Sequence, residues 1–277
     1  MKKIQVTIVN SEKEMSAKAA ASVIRLLQTK PDAVLGLATG STPLGLYRLL
    51  VAAYVDGKID FSGVTTFNLD EYIGLPAEHP QSYHAYMHTH LFRHINIQPE
   101  QTHIPNGTAD DPDVECRRYE TLISSSNGID LQLLGLGENG HIGFNEPGAD
   151  PYGRTHVTKL TESTRKANAR FFNHAEEVPR YAITMGLGSI LAHSKRILLL
   201  AAGEHKAEAV YRMLEEKVTN HCPASYLQTH PMTEIVIDLG AASLLSLSRK
   251  KQQQLVPEIL EKPLTPPSRR RLPEGLK

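Results

Sequence analysis

Apolar and polar positions along this chain change their period in a repeating way. Lys3–Val9 alternates at period two, the pattern of a half-buried strand. Ser11-Glu12-Lys13-Glu14 then forms a capping box that opens a helix ending near Pro31. Ala33–Ala38 is a short buried-strand run, followed by Thr39-Gly40-Ser41-Thr42-Pro43 and a helical stretch from Leu44 to Val55. Val64–Asn68 and Ile129–Leu136 read as further strands. Ile197–Ala201 is another, leading into a helix from His205 to about Lys217, and Glu234–Asp238 closes the series. Repeated strand–helix units of this spacing predict an α/β fold: a doubly wound, mostly parallel open sheet in a Rossmann-like three-layer arrangement, forming one domain over residues 1–250. In such sheets ligands bind beyond the carboxyl ends of the strands, so the loops that follow them are where chemistry is sought. Lys262–Pro273 is rich in proline and arginine without an apolar period, so 251–277 reads as a disordered, solvated tail.

A chain of 277 residues suits one large domain. Thirty basic and thirty acidic residues cancel, but Arg249–Lys277 carries eight Lys/Arg against three Asp/Glu, leaving 22 basic and 27 acidic residues elsewhere. That mildly acidic remainder argues against a nucleic-acid partner, which needs a basic face. Two cysteines provide neither a disulfide framework nor a cysteine-rich metal site. The N-terminal segment lacks an export core. The apolar run Ile197–Ala202 falls far short of the ~20 residues that cross a bilayer. The expectation is a soluble, cytoplasmic protein that does not engage a membrane.

Four places carry candidate chemistry. Thr39-Gly40-Ser41-Thr42 lies between a strand and a proline-marked helix start, where free N–H groups, hydroxyls and the helix dipole suit a phosphate; it is otherwise an ordinary capped turn. Gly135-Leu136-Gly137-Glu138-Asn139-Gly140 fits the dinucleotide pattern G-x-G-x-x-G, but His141–Gly148 contains Pro147 and cannot continue as the helix that such a site requires. What remains is a loop presenting Asn139, His141 and Glu146, either an acid/base pair or a structural turn. Asp70 and Glu71 follow the strand Val64–Asn68 and supply a general base, or else cap a helix or sit in solvent. His84, His88, His90 and His94 have i,i+4 spacing, yet no HExxH motif or nearby carboxylate completes a metal set, so they read as a histidine-rich helix face. Arg170 and Lys206 are single cations that become phosphate clamps only if a phosphate is bound; alone they read as surface charges.

Taken together and in order, these segments closely resemble the glucosamine-6-phosphate deaminase (isomerising) family from residue 1 to about 240. The resemblance rests on Leu37–Pro43, Thr66–Leu75 and Gly135–Pro147, joined by Ala169-Arg170-Phe171-Phe172 and Leu227-Gln228-Thr229-His230-Pro231. It implies conversion of D-glucosamine 6-phosphate and water to D-fructose 6-phosphate and ammonia, in N-acetylglucosamine catabolism, without metal or organic cofactor. It also implies that Asp70 moves a proton from C2 to C1. His141 would open the sugar ring with help from Asn139 and Glu146. Thr39, Gly40, Ser41, Thr42, Arg170 and Lys206 would hold the phosphate, with Arg170 in a lid at about 155–180. Some members carry aspartate where this chain has Asn139, so Glu146 is expected to supply more of the charge that supports His141. Arg154-Thr155-His156-Val157-Thr158-Lys159 departs from the basic pattern of allosteric members, so strong activation by N-acetylglucosamine 6-phosphate is not expected. The galactosamine epimer as substrate, a 6-phosphogluconolactonase-type hydrolase and a non-catalytic sugar-phosphate sensor are the competing readings. A homo-oligomer stays open, because members differ.

Overall fold

The computed structural model describes residues 4–172 and 174–246. The expected tail at 251–277 lies outside the described residues. Seven strands form one sheet in which every pairing is parallel. They are β1 (Gln5–Val9), β2 (Val34–Leu37), β3 (Thr65–Asn68), β5 (Thr102–His103), β6 (Leu131–Gly135), β9 (Ile197–Ala201) and β10 (Thr233–Asp238), in spatial order β1-β10-β9-β6-β2-β3-β5. From β2 the chain moves outward to β3 and β5, then crosses back through β6, β9 and β10. Because crossovers of this kind are right-handed, the two directions of travel put helices on opposite faces. Helices α1 (Glu12–Thr29), α2 (Leu44–Val55) and α3 (Tyr83–His90) belong to the outward half; α4 (Pro112–Ser125), α6 (Leu187–His193) and α7 (Ala207–Glu215) belong to the return.

Covered on both faces, β2 and β9 carry no polar side chain: all five residues of β9 and all four of β2 are buried. Gly36 in β2 leaves room for its neighbour on β6. The side chain of Gln132, fully buried, lies across it, and a Cβ at 36 would stand 2.1 Å from Gln132 Oε1. Observed boundaries agree with expectation to the residue for α2 and β9, and within three residues for the other expected strands. Among the described residues, no helix is long and apolar enough to cross a membrane.

The sequence reading did not anticipate a second sheet. β4 (Asp70–Tyr72), β8 (Tyr181–Thr184) and β7 (His156–Lys159) form an antiparallel platform, on which Asp70 pairs with Thr184. Its own small core is Tyr72, Phe144, Leu160 and Ala182, with Phe172 packed against it. Helix α5 (Glu162–Asn168) is joined to the platform by Asn168, whose amide donates to the Tyr72 hydroxyl at 2.9 Å.

At the opposite, amino-terminal end of the sheet, Asp130 ties three elements together. Its carboxylate accepts from the Val34 amide at 2.8 Å and from Lys195 Nζ at 2.9 Å, and Lys30 Nζ stands 3.1 Å away. Burial opposes ionisation here, but the amide and the two lysines outweigh it and hold the carboxyl below its ordinary pKa. A depressed carboxylate stabilises the fold above its unfolded pKa and loses that contribution as pH falls through the folded value. Asp130→Asn should therefore cost about 2 kcal/mol at pH 7, or roughly 4–8 °C in Tm, and the gap from wild type should narrow in acid. Thermal denaturation of both proteins between pH 7 and pH 3 checks this; a gap independent of pH contradicts it.

Candidate active site

At the carboxyl ends of the strands, where the winding reverses between β2 and β6, lies a cleft of about 630 Å³. Four neighbouring strands, β9, β6, β2 and β3, each deliver one segment to it.

Beyond β2 comes the turn Thr39–Thr42. Gly40 has φ +92°, a left-handed conformation that glycine adopts without strain. Ser41 O accepts from Leu44 N as α2 begins. The N–H groups of Thr39, Gly40, Ser41 and Thr42 have no protein acceptor among the described residues, and all four residues line the cleft. This is the donor-rich geometry that suits an oxyanion at a helix start.

Beyond β3, the chain leaves the main sheet at Leu69 and places Asp70 at the cleft as the first residue of β4. Asp70 is only 6% exposed. Burial, and then the neighbouring Glu71 charge, push its pKa up to about 8. Glu71 faces the other way. Its carboxylate accepts from the amides of Tyr72, Tyr83 and His84 at 2.8, 2.9 and 3.1 Å and meets His84 Nδ1 at 2.9 Å. The adjacent acids thus divide the two roles open to them in the sequence: one reaches the cleft, the other caps α3.

Beyond β6, Leu136 to Asn145 forms a loop with no helix, so the glycine pattern does not build a dinucleotide site. Gly137 lies under the imidazole of His141; a Cβ there would come within 2.4 Å of both ring nitrogens. Gly143, at φ +56°, brings the same loop against Asp70, whose Oδ2 would lie 3.3 Å from a Cβ at that position. His141 Nδ1 is buried 3.5 Å from Glu146 Oε2, an ion-pair separation longer than a good hydrogen bond, which leaves Nε2 as the nitrogen available to the cleft. Glu146 stands behind the cleft wall. It accepts from Asn139 Nδ2 at 2.7 Å, from Thr161 Oγ1 at 3.1 Å and from the Thr164 hydroxyl. Against the upward push of burial, His141, Thr164 and Asn139 draw its pKa down to about 2. Asn139 makes no hydrogen bond to the imidazole ring among the described residues; its Oδ1 accepts from the His141 backbone amide at 3.2 Å.

Beyond β9, Gly203 leads into a 3-10 turn, Glu204–Lys206, that puts Lys206 in the cleft. Burial lowers its pKa; Glu138 opposes the shift and Arg170 adds to it. Two cations therefore approach the same space from different elements. Arg170 sits in a 3-10 turn after α5, its guanidinium 4.7 Å from the Phe171 ring centroid.

The structure thus gathers Thr39, Gly40, Ser41, Thr42, Asp70, Asn139, His141, Arg170 and Lys206 on one cleft, with Glu146 one layer behind. Sequence reasoning missed Tyr83 and Thr164, which also line it. A signal existed for Thr164: Thr161 caps α5 by accepting from the Thr164 amide, a Thr-x-x-Thr pattern that marks the helix start. The four spaced histidines do not act together. His84 pairs with Glu71, whereas His94 bonds the Thr89 carbonyl.

A family model described as glucosamine-6-phosphate isomerases/6-phosphogluconolactonase matches residues 10–236. The glucosamine-6-phosphate deaminase of Thermoanaerobacter pseudethanolicus (strain ATCC 33223 / 39E) is 54% identical over 253 residues, covering 91% of this chain and 100% of that one. Glucosamine-6-phosphate deaminase 2 of Bacillus subtilis (strain 168) is 54% identical over 245 residues, 87% of this chain and 98% of its own. A solved monomeric glucosamine-6-phosphate deaminase, 50% identical, superposes with a TM-score of 0.85 over 87% of this chain and 100% of that one. The 6-phosphogluconolactonase of Thermotoga maritima, 20% identical with a TM-score of 0.67 over 85% and 100%, shares the fold.

A carboxyl whose folded pKa is raised destabilises the protein progressively as pH rises from its unfolded value near 4 to its folded value near 8. Asp70→Asn should therefore raise Tm, by at least roughly 2–4 °C at pH 8, the shift expected for about 1 kcal/mol in a domain of this size. The gain should shrink towards pH 4. Calorimetry across that range tests it, and a variant less stable than wild type at pH 8 refutes it.

Proposed function

The chain belongs to the glucosamine-6-phosphate isomerase/6-phosphogluconolactonase family, and we infer that it is an isomerising deaminase, converting D-glucosamine 6-phosphate and water to D-fructose 6-phosphate and ammonia. The observation that carries this reading is the convergence on one cleft of a buried carboxylate, an imidazole backed by an ionised carboxylate, and a donor-rich turn facing two cations. The proposed setting is the cytoplasm, because a sugar phosphate carries charge that a bilayer excludes.

In the proposed mechanism the phosphate sits on the Thr39–Thr42 amides and hydroxyls, with Lys206 and Arg170 closing round it. Phosphate anchoring fixes the sugar's orientation, an effect worth roughly 7–11 kcal/mol at best. His141 Nε2 moves a proton from the anomeric hydroxyl to the ring oxygen, opening the ring. Glu146, ionised at any working pH, stabilises the imidazolium formed on the way. Asp70 then removes the C2 proton while the substrate's C2 ammonium gives up a proton to O1, producing an enolamine, and Asp70 returns its proton to C1. The resulting ketimine adds water and expels ammonia, leaving the ketose. Asp70 must be ionised to act. A substrate ammonium at C2 brings a cation beside it and favours that form upon binding. The segment from about 155 to 180, with Arg170 and Thr164, is proposed as the lid that shields the enolamine from water.

The test is a coupled measurement of ammonia and ketose phosphate from glucosamine 6-phosphate and from its galactosamine epimer. Asp70→Asn should lower kcat/KM by about 10²–10⁴-fold. Lactone hydrolysis without ammonia release would transfer the chain to the hydrolase branch of the family. Glu146→Gln should slow turnover of the cyclic sugar far more than it slows Asp70-dependent proton exchange on an open-chain analogue. Equal losses in both assays would contradict the division of labour between Glu146 and Asp70.

A further inference from the structure

Two tyrosines stand behind the Thr39–Thr42 turn without lining the cleft. Tyr47 of α2 is fully buried, and its hydroxyl donates to the Ala38 carbonyl at 2.5 Å. Tyr86 of α3 is partly buried, and its hydroxyl donates to the Gly40 carbonyl at 2.6 Å. In a trans peptide the carbonyl and the following N–H point in opposite directions across a rigid plane. Holding the Ala38 carbonyl turns the Thr39 N–H away from Tyr47; holding the Gly40 carbonyl turns the Ser41 N–H away from Tyr86. Those N–H groups belong to residues that line the cleft, and they have no protein acceptor among the described residues. Gly40 needs such support more than its neighbours. Its φ of +92° and the open space at its Cβ position leave its peptide plane free to rotate.

We propose that Tyr47 and Tyr86 are positioning residues which fix the peptide planes of this turn, so that alternate N–H groups are aimed at a phosphate before it arrives. The proposal rests on the reading of the turn as the phosphate seat. Helix α3 gives the arrangement a second consequence. Its first amides are capped by Glu71, the residue next to Asp70, while three residues on Tyr86 grips the turn. One eight-residue helix therefore sets the spacing between the groups that would meet the two ends of the sugar phosphate.

Tyr86→Phe keeps the ring and removes only the hydroxyl, so the fold should survive. Expected outcomes are a roughly ten-fold rise in KM for glucosamine 6-phosphate with kcat changed less than two-fold, because binding common to ground and transition states is what is lost. Affinity for inorganic phosphate, read without catalysis from phosphate-dependent thermal stabilisation, should fall by the same factor. Tyr47→Phe should do likewise if it folds. If wild type and Tyr86→Phe bind phosphate equally, or if kcat falls while phosphate affinity holds, the clamp is wrong although the seat stands. If wild type binds no phosphate at all, seat and clamp fall together.

Discussion

A parallel sheet delivers the carboxyl ends of all its strands to one side, and everything in this site depends on that. β9, β6, β2 and β3 are hydrogen-bonded neighbours, so the segments that follow them are neighbours too. Lys206, His141, the Thr39–Thr42 turn and Asp70 come together although up to 167 positions separate them in the chain. Reversal of winding between β2 and β6 opens the crevice, since the chain leaves those two adjacent strand ends in opposite directions. The antiparallel platform then closes one wall. It exists because the chain departs from the main sheet right after β3, and Met185 N bonds the Leu69 carbonyl at the point of departure.

What could be read from the sequence followed from how local each signal was. Leu44–Val55 and Ile197–Ala201 were legible to the residue, one from its proline-marked start and the other as an unbroken apolar run. β4, β7 and β8 were not. Three or four residues each, they gain meaning only from pairing with one another, β7 with the nearby β8 and β4 with the same strand across more than a hundred positions, as Asp70 does with Thr184. Helix α4 carries a readable start, Asp111 capping the amides of Asp113 and Val114 ahead of Pro112 in the first turn, so its omission was a signal unused. Candidate site residues were mostly legible because they sit in glycine-rich or hydroxyl-rich loops next to strong strands. Glu146 stood out as a carboxylate near His141. Its place behind the cleft, and its two threonine partners at the start of α5, depend on tertiary contacts that spacing does not encode. Tyr47 and Tyr86 are less visible still, because each acts through its hydroxyl on another element's backbone.

Two buried carboxylates and a partly buried one within this small volume are held in different ways, and the difference follows from what each oxygen can bond. Glu71 is 1% exposed, yet its oxygens meet three amides and an imidazole, so it serves as a fixed structural anion. Glu146 has an amide, two hydroxyls and an imidazole nearby, which more than offset its desolvation and keep it ionised. Asp70 has no comparable set of donors. Burial and the Glu71 charge both raise its pKa, so the fold keeps there a base stronger than an ordinary carboxylate. Supplying Asp70 with donors would stabilise the protein and weaken the base in the same step. Neither Lys206 nor Arg170 is among the groups that shift Asp70, although both line the same cleft. A cation beside Asp70 would hold the carboxyl ionised and make it a weaker base.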